Sequence, residues 1–198
     1  ISDNKLYARL CRDVKLTNVL VGDDGSPVLC DFGVSKMHAG QTVAAAAFAM
    51  TTAMQSALTP AYAAPEVIKQ EAHAKAGEKA DVFGFGVCLF VAVFGELPQR
   101  DAVTHCLSAS TKSKLCSDAR SAAQELLQKL LADDPTDRPS ADQALLHRYF
   151  SDTHEVSLKV DCTHDKHTHT VCTALSLSQN HNMRRWLSST LDLSSTSR

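Results

Sequence analysis

Between Asp81 and Gly95 the chain reads VFGFGVCLFVAVF, with no charged residue in the run. Wound as a helix, this run has no polar face to turn to water, and a helix that is apolar all round has to be enclosed by other elements. Gly95, with Pro98 just beyond it, supplies the stop. The run is interrupted by glycines and is too short to span a bilayer. The sequence therefore predicts a helix through the middle of a globular domain, with the remaining elements arranged around it.

With 198 residues, 44% of them hydrophobic, there is enough chain to build that enclosure. Ala122, Leu126, Leu127, Leu130 and Leu131 recur near helical spacing, with Asp118 expected as the cap and Asp134 and Pro135 as the end. Ser140 followed by Gln143 has the form of a capping box, opening a last helix through Leu145 and Leu146 toward Tyr149 and Phe150. Upstream, NVLVGDDGSPVLC at 18–30 holds two short β-branched and leucine-rich runs around Gly22, Asp23, Asp24, Gly25 and Pro27, the composition of a small hairpin. The fold class expected is mainly α, a helical bundle with one small β-hairpin. Residues 40–58 carry no charge and include four consecutive alanines, Ala44 to Ala47; without a flanking amphipathic pattern they read as a mobile loop. After Phe150, Ser, Thr and His dominate while Gly and Pro vanish. This shift sets the expected division: a domain over 1–150 and a Ser/Thr/His-rich tail over 151–198. No internal repeat is found.

A net charge of −2 leaves no general footprint for nucleic acid or an acidic membrane. Neither is expected as a partner. Seven cysteines, odd in number and scattered without a CxxC framework, argue against a secreted disulfide module and for a reducing compartment. Residues 1–9 contain no apolar signal-peptide core. The expectation is a soluble, intracellular, cytoplasmic chain. In the tail, Cys162, His164, His167, His169 and Cys172 are all potential metal ligands, but their spacing fits no zinc module, and a polar tail rich in histidine is the better reading. Arg184 and Arg185 beside Trp186 read as an ordinary amphipathic turn, since two charges give little phosphate affinity.

The chemistry-bearing residues cluster early. CRDVKLTN at 11–18 is followed across the hairpin by DFG at 31–33, and then by TPAYAAPE at 59–66, DVFGFGV at 81–87 and DPTDRPS at 134–140. Singly, Asp13, Asn18 and Asp31 are residues any turn beside a hairpin could use. Together and in this order they resemble the signatures of the eukaryotic-type protein kinases, in particular the catalytic loop, the magnesium-binding DFG and the end of the activation segment. The resemblance covers roughly the first three quarters of the chain. A lysine at 15 and the stretch from Thr59 to Tyr62 resemble the serine/threonine rather than the tyrosine class.

Transfer of a phosphoryl group to a hydroxyl spreads charge over the transferring oxygens and needs the nucleophile held in line, so positioning and electrostatics carry most of the catalysis. The resemblance implies that Asp13 takes or orients the substrate hydroxyl proton and that Lys15 neutralises the γ-phosphate of ATP. It implies Asn18 and Asp31 as ligands of Mg2+, a hard cation that prefers oxygen donors. Further roles implied in this way are architectural or regulatory. Phe32 and Gly33 complete the DFG, and Thr59 belongs to the activation segment. Glu66 and Arg138 resemble the family's buried ion pair, and Asp81 the aspartate that bonds to the catalytic-loop backbone, although it has equally the look of a helix N-cap. Arg12 resembles the arginine that meets a phosphorylated residue, for which Thr42, Thr51, Thr52 and Ser56 are candidates.

Departures are present too. The histidine that usually opens the catalytic loop is Cys11, the usual proline is Leu16, and the helix tryptophan and serine are Phe83 and Gly84. The 198 residues contain no GxGxxG loop and no strand lysine paired with a helix glutamate, and they do not begin with Met. The expectation is a carboxy-terminal lobe with the amino-terminal lobe absent, from an ATP- and Mg2+-dependent protein serine/threonine kinase acting on Ser/Thr of a protein substrate, with regulatory proteins as further partners. The alternative is a pseudokinase or truncated kinase-like scaffold. The isolated fragment is expected to be inactive.

Overall fold

Helix α2, Ala76–Phe94, is the axis of the domain. Every residue over 81–92 is buried, as the absence of a polar face dictates. The helix stops where Gly95 turns into the left-handed region at φ 72°, its N–H returning to the Val91 carbonyl at 2.8 Å. The computed structural model describes residues 8–11, 13–23, 27–31, 36–38, 59–69, 76–116 and 121–151. The stretch 40–58, the tail beyond Ser151, and with them Arg12, Phe32, Gly33, Thr42, Thr51, Thr52, Ser56 and the His/Cys cluster lie outside the described residues.

In chain order the elements are β1 (Ala8–Leu10), a 3-10 turn (Leu16–Asn18), β2 (Val19–Val21), β3 (Pro27–Leu29), β4 (Lys36–His38), α1 (Pro65–Ile68), α2, α3 (Ala109–Cys116), α4 (Ala122–Leu130), α5 (Ala141–Leu145) and α6 (Arg148–Ser151). Strands β2 and β3 form the expected hairpin, with Val19 opposite Leu29 and Leu20 opposite Val28. The hairpin's alternation is visible in burial: Val19 and Leu29 enter the core, while Leu20 and Val28 are about half exposed. A second antiparallel pair was not anticipated: β1 pairs with β4, Ala8 opposite His38 and Leu10 opposite Lys36. The described residues between them, including most of the CRDVKLTN run and the two hairpin strands, form an excursion closed at its base by β1 and β4.

Helix α4 packs against α2, α3 and α6. Its apolar stripe of Ala123, Leu126, Leu127 and Leu130 is buried, and Gly86 of α2 makes room for it: a Cβ there would sit 2.9 Å from Leu130 Cβ and from Leu131 Cδ2. The N-cap of α4 is Ser121, whose hydroxyl accepts from the Gln124 N–H, and not Asp118 as expected. Asp118 itself is outside the described residues. The helix also ends at Leu131, ahead of Asp134 and Pro135. Two glutamines of α4 reach back to the terminal carbonyls of α3: Gln124 Nε2 donates to Lys114 O at 2.8 Å and Gln128 Nε2 to Leu115 O at 2.7 Å. These carbonyls have no partner within their own helix. The Ser140–Gln143 capping box is complete, each side chain bonded to the other's backbone. The helix it opens is short, however, and α6 follows as a separate turn that buries Tyr149 and Phe150.

Candidate active site

The loop from Cys11 to Asn18 lies on the α2 axis. Asp81, well inside the helix and 3% exposed, accepts a hydrogen bond from the Cys11 N–H at 2.9 Å. It is not the N-cap of α2, which starts five positions earlier at Ala76. One turn further along, Gly84 lets the loop settle: a Cβ there would stand 2.9 Å from the Val14 carbonyl oxygen and 3.1 Å from Val14 Cβ. Val14, Leu16 and Cys11 all face the core. The side chain in the position of the usual histidine is thus a small buried group. Burial first, and the nearby Asp81 carboxylate second, push the Cys11 thiol up to about 12, so it stays neutral and packs as a hydrophobe.

With alternate residues committed to the core, Asp13, Lys15 and Asn18 converge on the other side of the loop. Lys15 Nζ lies 2.6 Å from Asp13 Oδ2. Asn18 Nδ2 donates to the same oxygen and to the Asp13 carbonyl, both at 3.0 Å. One carboxylate oxygen is therefore held twice, while Oδ1 accepts no hydrogen bond among the described residues. Lys15 Nζ also donates to Thr59 Oγ1 at 2.9 Å, tying the distant 59–63 turn to the loop. That turn is closed on itself by the Tyr62 and Ala63 N–H groups, which both donate to Thr59 O.

Asp31 is brought to the same place by the hairpin. The Asn18 carbonyl accepts from the Cys30 N–H at 2.8 Å and from Cys30 Sγ at 3.2 Å, which fixes the residue before Asp31 directly against Asn18. Asp31 is exposed and adopts a left-handed backbone, φ 61°, a conformation aspartate tolerates better than most residues and one that re-aims its side chain. The donor set fits Mg2+. With its amide nitrogen pinned to Asp13, Asn18 has its oxygen left over, and Asp31, next in the chain to the Cys30 that bonds Asn18, offers a carboxylate. No group of three or more His, Cys, Asp or Glu able to hold a metal occurs among the described residues. Two protein oxygens would suffice to hold Mg2+ if phosphate and water supplied its other ligands.

The far end of the 59–66 stretch is anchored by Glu66, in the first turn of α1 behind Pro65. Arg138 grips it with two parallel bonds, Nη1 to Oε1 at 2.7 Å and Nη2 to Oε2 at 2.8 Å. The remaining donors of Arg138 go to the carbonyls of Ala132, Lys79 and Asp133. All five N–H bonds of this fully buried guanidinium are satisfied, which is the condition for burying such a pair without heavy cost. Its charge also lies 4.8 Å from the centre of the Phe83 ring, the residue in the usual tryptophan's place.

Sequence reasoning missed Arg100. It stands in the loop after α2, its guanidinium likewise 4.8 Å from the Phe83 ring centre, with Nη1 donating to Ala63 O at 2.6 Å and Nη2 to Ala61 O at 3.2 Å. Nothing in the local pattern marks it, because its acceptors are backbone carbonyls, which every residue carries.

A loop bearing aspartate, lysine and asparagine rests on a buried helix, an adjoining hairpin delivers a second aspartate, and a downstream segment is locked by a buried ion pair. The family model for the protein kinase domain matches residues 8–150, and the chain belongs to the protein kinase family. Among curated relatives, serine/threonine-protein kinase 16 of Homo sapiens is 33% identical over 136 residues, covering 65% of this chain and 44% of the relative. The Mus musculus protein of that name is 31% identical over 135 residues with the same coverage. Mitogen-activated protein kinase kinase kinase 2 of Arabidopsis thaliana is 29% identical over 163 residues, 79% of this chain and 24% of that protein. The chain spans less than half the length of the curated relatives it matches.

Proposed function

We propose that the protein to which this chain belongs transfers the γ-phosphoryl group of ATP to a serine or threonine hydroxyl of a protein substrate, with residues 1–150 contributing the carboxy-terminal lobe. The observation that carries this reading is the convergence of Lys15 and Asn18 on one oxygen of Asp13, with Lys15 also on Thr59. Asp13 Oδ1 is the oxygen left to accept the substrate hydroxyl proton, and the two contacts to Oδ2 fix its direction. Lys15 supplies positive charge beside the incoming phosphate. Asn18 Oδ1 and the Asp31 carboxylate would hold Mg2+, which neutralises charge on the phosphate oxygens when bound. Glu66 and Arg138 keep the 59–66 stretch in register with the loop, and Asp81 holds the loop backbone.

The name of the relatives called serine/threonine-protein kinase 16 supports the serine/threonine class. Among the described residues the free thiols of Cys11, Cys30, Cys106 and Cys116 support a reducing, intracellular setting. Among the described residues no helix is long and apolar enough to cross a membrane. A second reading, a non-catalytic kinase-like module, is favoured by Cys11, whose buried neutral thiol cannot reproduce the polar bonds of the usual histidine.

Phosphorylation of a generic protein substrate by the full-length protein decides between them. Transfer that disappears in Asp13→Ala, with the thermal transition retained, is the expected result; equal activity in Asp13→Ala removes Asp13 from its role, and no transfer by the parent favours the scaffold. The 198 residues alone are expected to transfer nothing, since they carry no glycine-rich phosphate loop. Autophosphorylation by the fragment would overturn that expectation.

A further inference from the structure

The turn at 59–63 contains only two side chains with polar atoms, Thr59 and Tyr62; the others are Pro60, Ala61 and Ala63. Tyr62 packs partly buried against the core, and the two ends of the turn are held from outside it. One end is held by Lys15, whose ammonium reaches both Thr59 Oγ1 and Asp13 Oδ2. The other is held by Arg100, which takes the carbonyls of both Ala61 and Ala63. Arg100 is itself fixed by a bridge between its backbone and Leu107, by the ring of Phe83, and by a longer bond from Nη1 to His105 O at 3.4 Å.

The arrangement is not the one stability alone favours. Arg100 Nε is buried without a hydrogen-bond partner among the described residues, in contrast to Arg138, where every donor is paired. Burial and the neighbouring Arg138 charge both work against the Arg100 cation and lower it to about 10. A lone buried N–H and two guanidinium groups sharing one ring are costs that call for a return elsewhere.

We propose that Arg100 is a positioning residue for the protein substrate: by gripping Ala61 and Ala63 it sets the wall against which the acceptor peptide lies. The reasoning is geometric. A peptide presenting its hydroxyl to Asp13 has Lys15 on one side, and the segment in contact with Lys15 is the turn that begins at Thr59. Residues flanking the acceptor hydroxyl therefore run along this turn. Its placement relative to Asp13 is set by Tyr62 on the core and by two cations, Lys15 from the loop and Arg100 from beyond α2. This inference rests on the kinase reading above.

The test uses the full-length protein with Arg100→Met and Arg100→Lys. In Arg100→Met, hydrogen exchange at the Tyr62 and Ala63 amides is expected to quicken at least about tenfold, the scale of losing even one of the two hydrogen bonds from this charged donor, with exchange in α4 unchanged. KM for an acceptor peptide is expected to rise by about the same factor, with kcat and the KM for ATP moving far less. Arg100→Lys should fall between, because a single ammonium does not span two carbonyls as the guanidinium fork does. Unchanged exchange at Tyr62 and Ala63 overturns the proposal whatever the kinetics. A fall in kcat at constant peptide KM overturns it as well, since the arginine would then serve the reacting groups or the fold and not the acceptor. If the parent protein transfers no phosphate, the kinase reading has failed and the substrate role of Arg100 falls with it; the exchange comparison then still decides whether Arg100 holds the turn.

Discussion

At Cys11 the chain replaces a polar ring with a thiol, and the fold answers by burying it. Its ordinary value of 9.0 is raised to about 12, chiefly by loss of solvent. Because the folded state holds the proton more tightly than the unfolded chain, this contribution to stability is complete below pH 9 and is lost as pH rises toward 12. Tyr149 behaves alike from a higher start, 10.0 raised to about 12 by burial. The urea midpoint should therefore begin to fall near pH 9, and Cys11→Ala should flatten the early part of that fall; an identical pH profile would show that the thiol does not contribute. Gly84 offers a second test at this scale. Alanine in a helix is favoured over glycine by about 1 kcal/mol, but overpacking costs about 1 to 3 kcal/mol, and here the obstacle is the Val14 carbonyl, a backbone atom of the 11–18 loop. Gly84→Ala is expected to be a net loss in chemical denaturation and to lower transfer by displacing Asp13.

Among the elements, the Glu66–Arg138 pair joins α1 to the segment leading into α5, across 72 positions of sequence. Glu66→Ala leaves a guanidinium buried beside carbonyls alone, and the expected loss is about 3 to 5 kcal/mol, read from denaturant midpoints. A double-mutant cycle with Arg138→Met should give a large coupling energy; additivity would mean that the pair is incidental. How much of the architecture could be read in advance follows from what each element buries. Helix α2 was legible because its apolar residues admit only one environment, and the hairpin because Gly22, Asp23, Gly25 and Pro27 punctuate two β-branched runs. Strands β1 and β4, ARL and KMH, were not, since three residues are too few to show alternation and the partner is distant in sequence. Helix α3 was missed for a related reason: it buries only Thr111 and Leu115, and its terminal carbonyls are satisfied by glutamines of α4 rather than by signals of its own. The capping box was read correctly, but one helix through Tyr149 became two, because the backbone turns at Leu146 and His147 before α6.

Across the whole molecule, the motifs at 11–18 and 31–33 identified the family because their spacing reflects a site whose parts meet through the hairpin. The same spacing carried no trace of Arg100, whose role arises from contact between a loop and a remote turn. The scaffold also predicts where damage spreads. Leu126→Ala, in the middle of α4 and fully buried against the α2 layer, should cost about 2 to 5 kcal/mol, measured by denaturant unfolding. The bond from Cys11 to Asp81 spans 70 positions. On a ribosome adding about 5 to 20 residues per second, roughly 4 to 14 seconds separate the two. Throughout that interval the nascent loop has neither the carboxylate that holds its backbone nor the glycine notch that receives Val14. The segment is written early and shaped late, so a chain interrupted before α2 is complete carries Asp13, Lys15, Asn18 and Asp31 in its sequence and none of them in place.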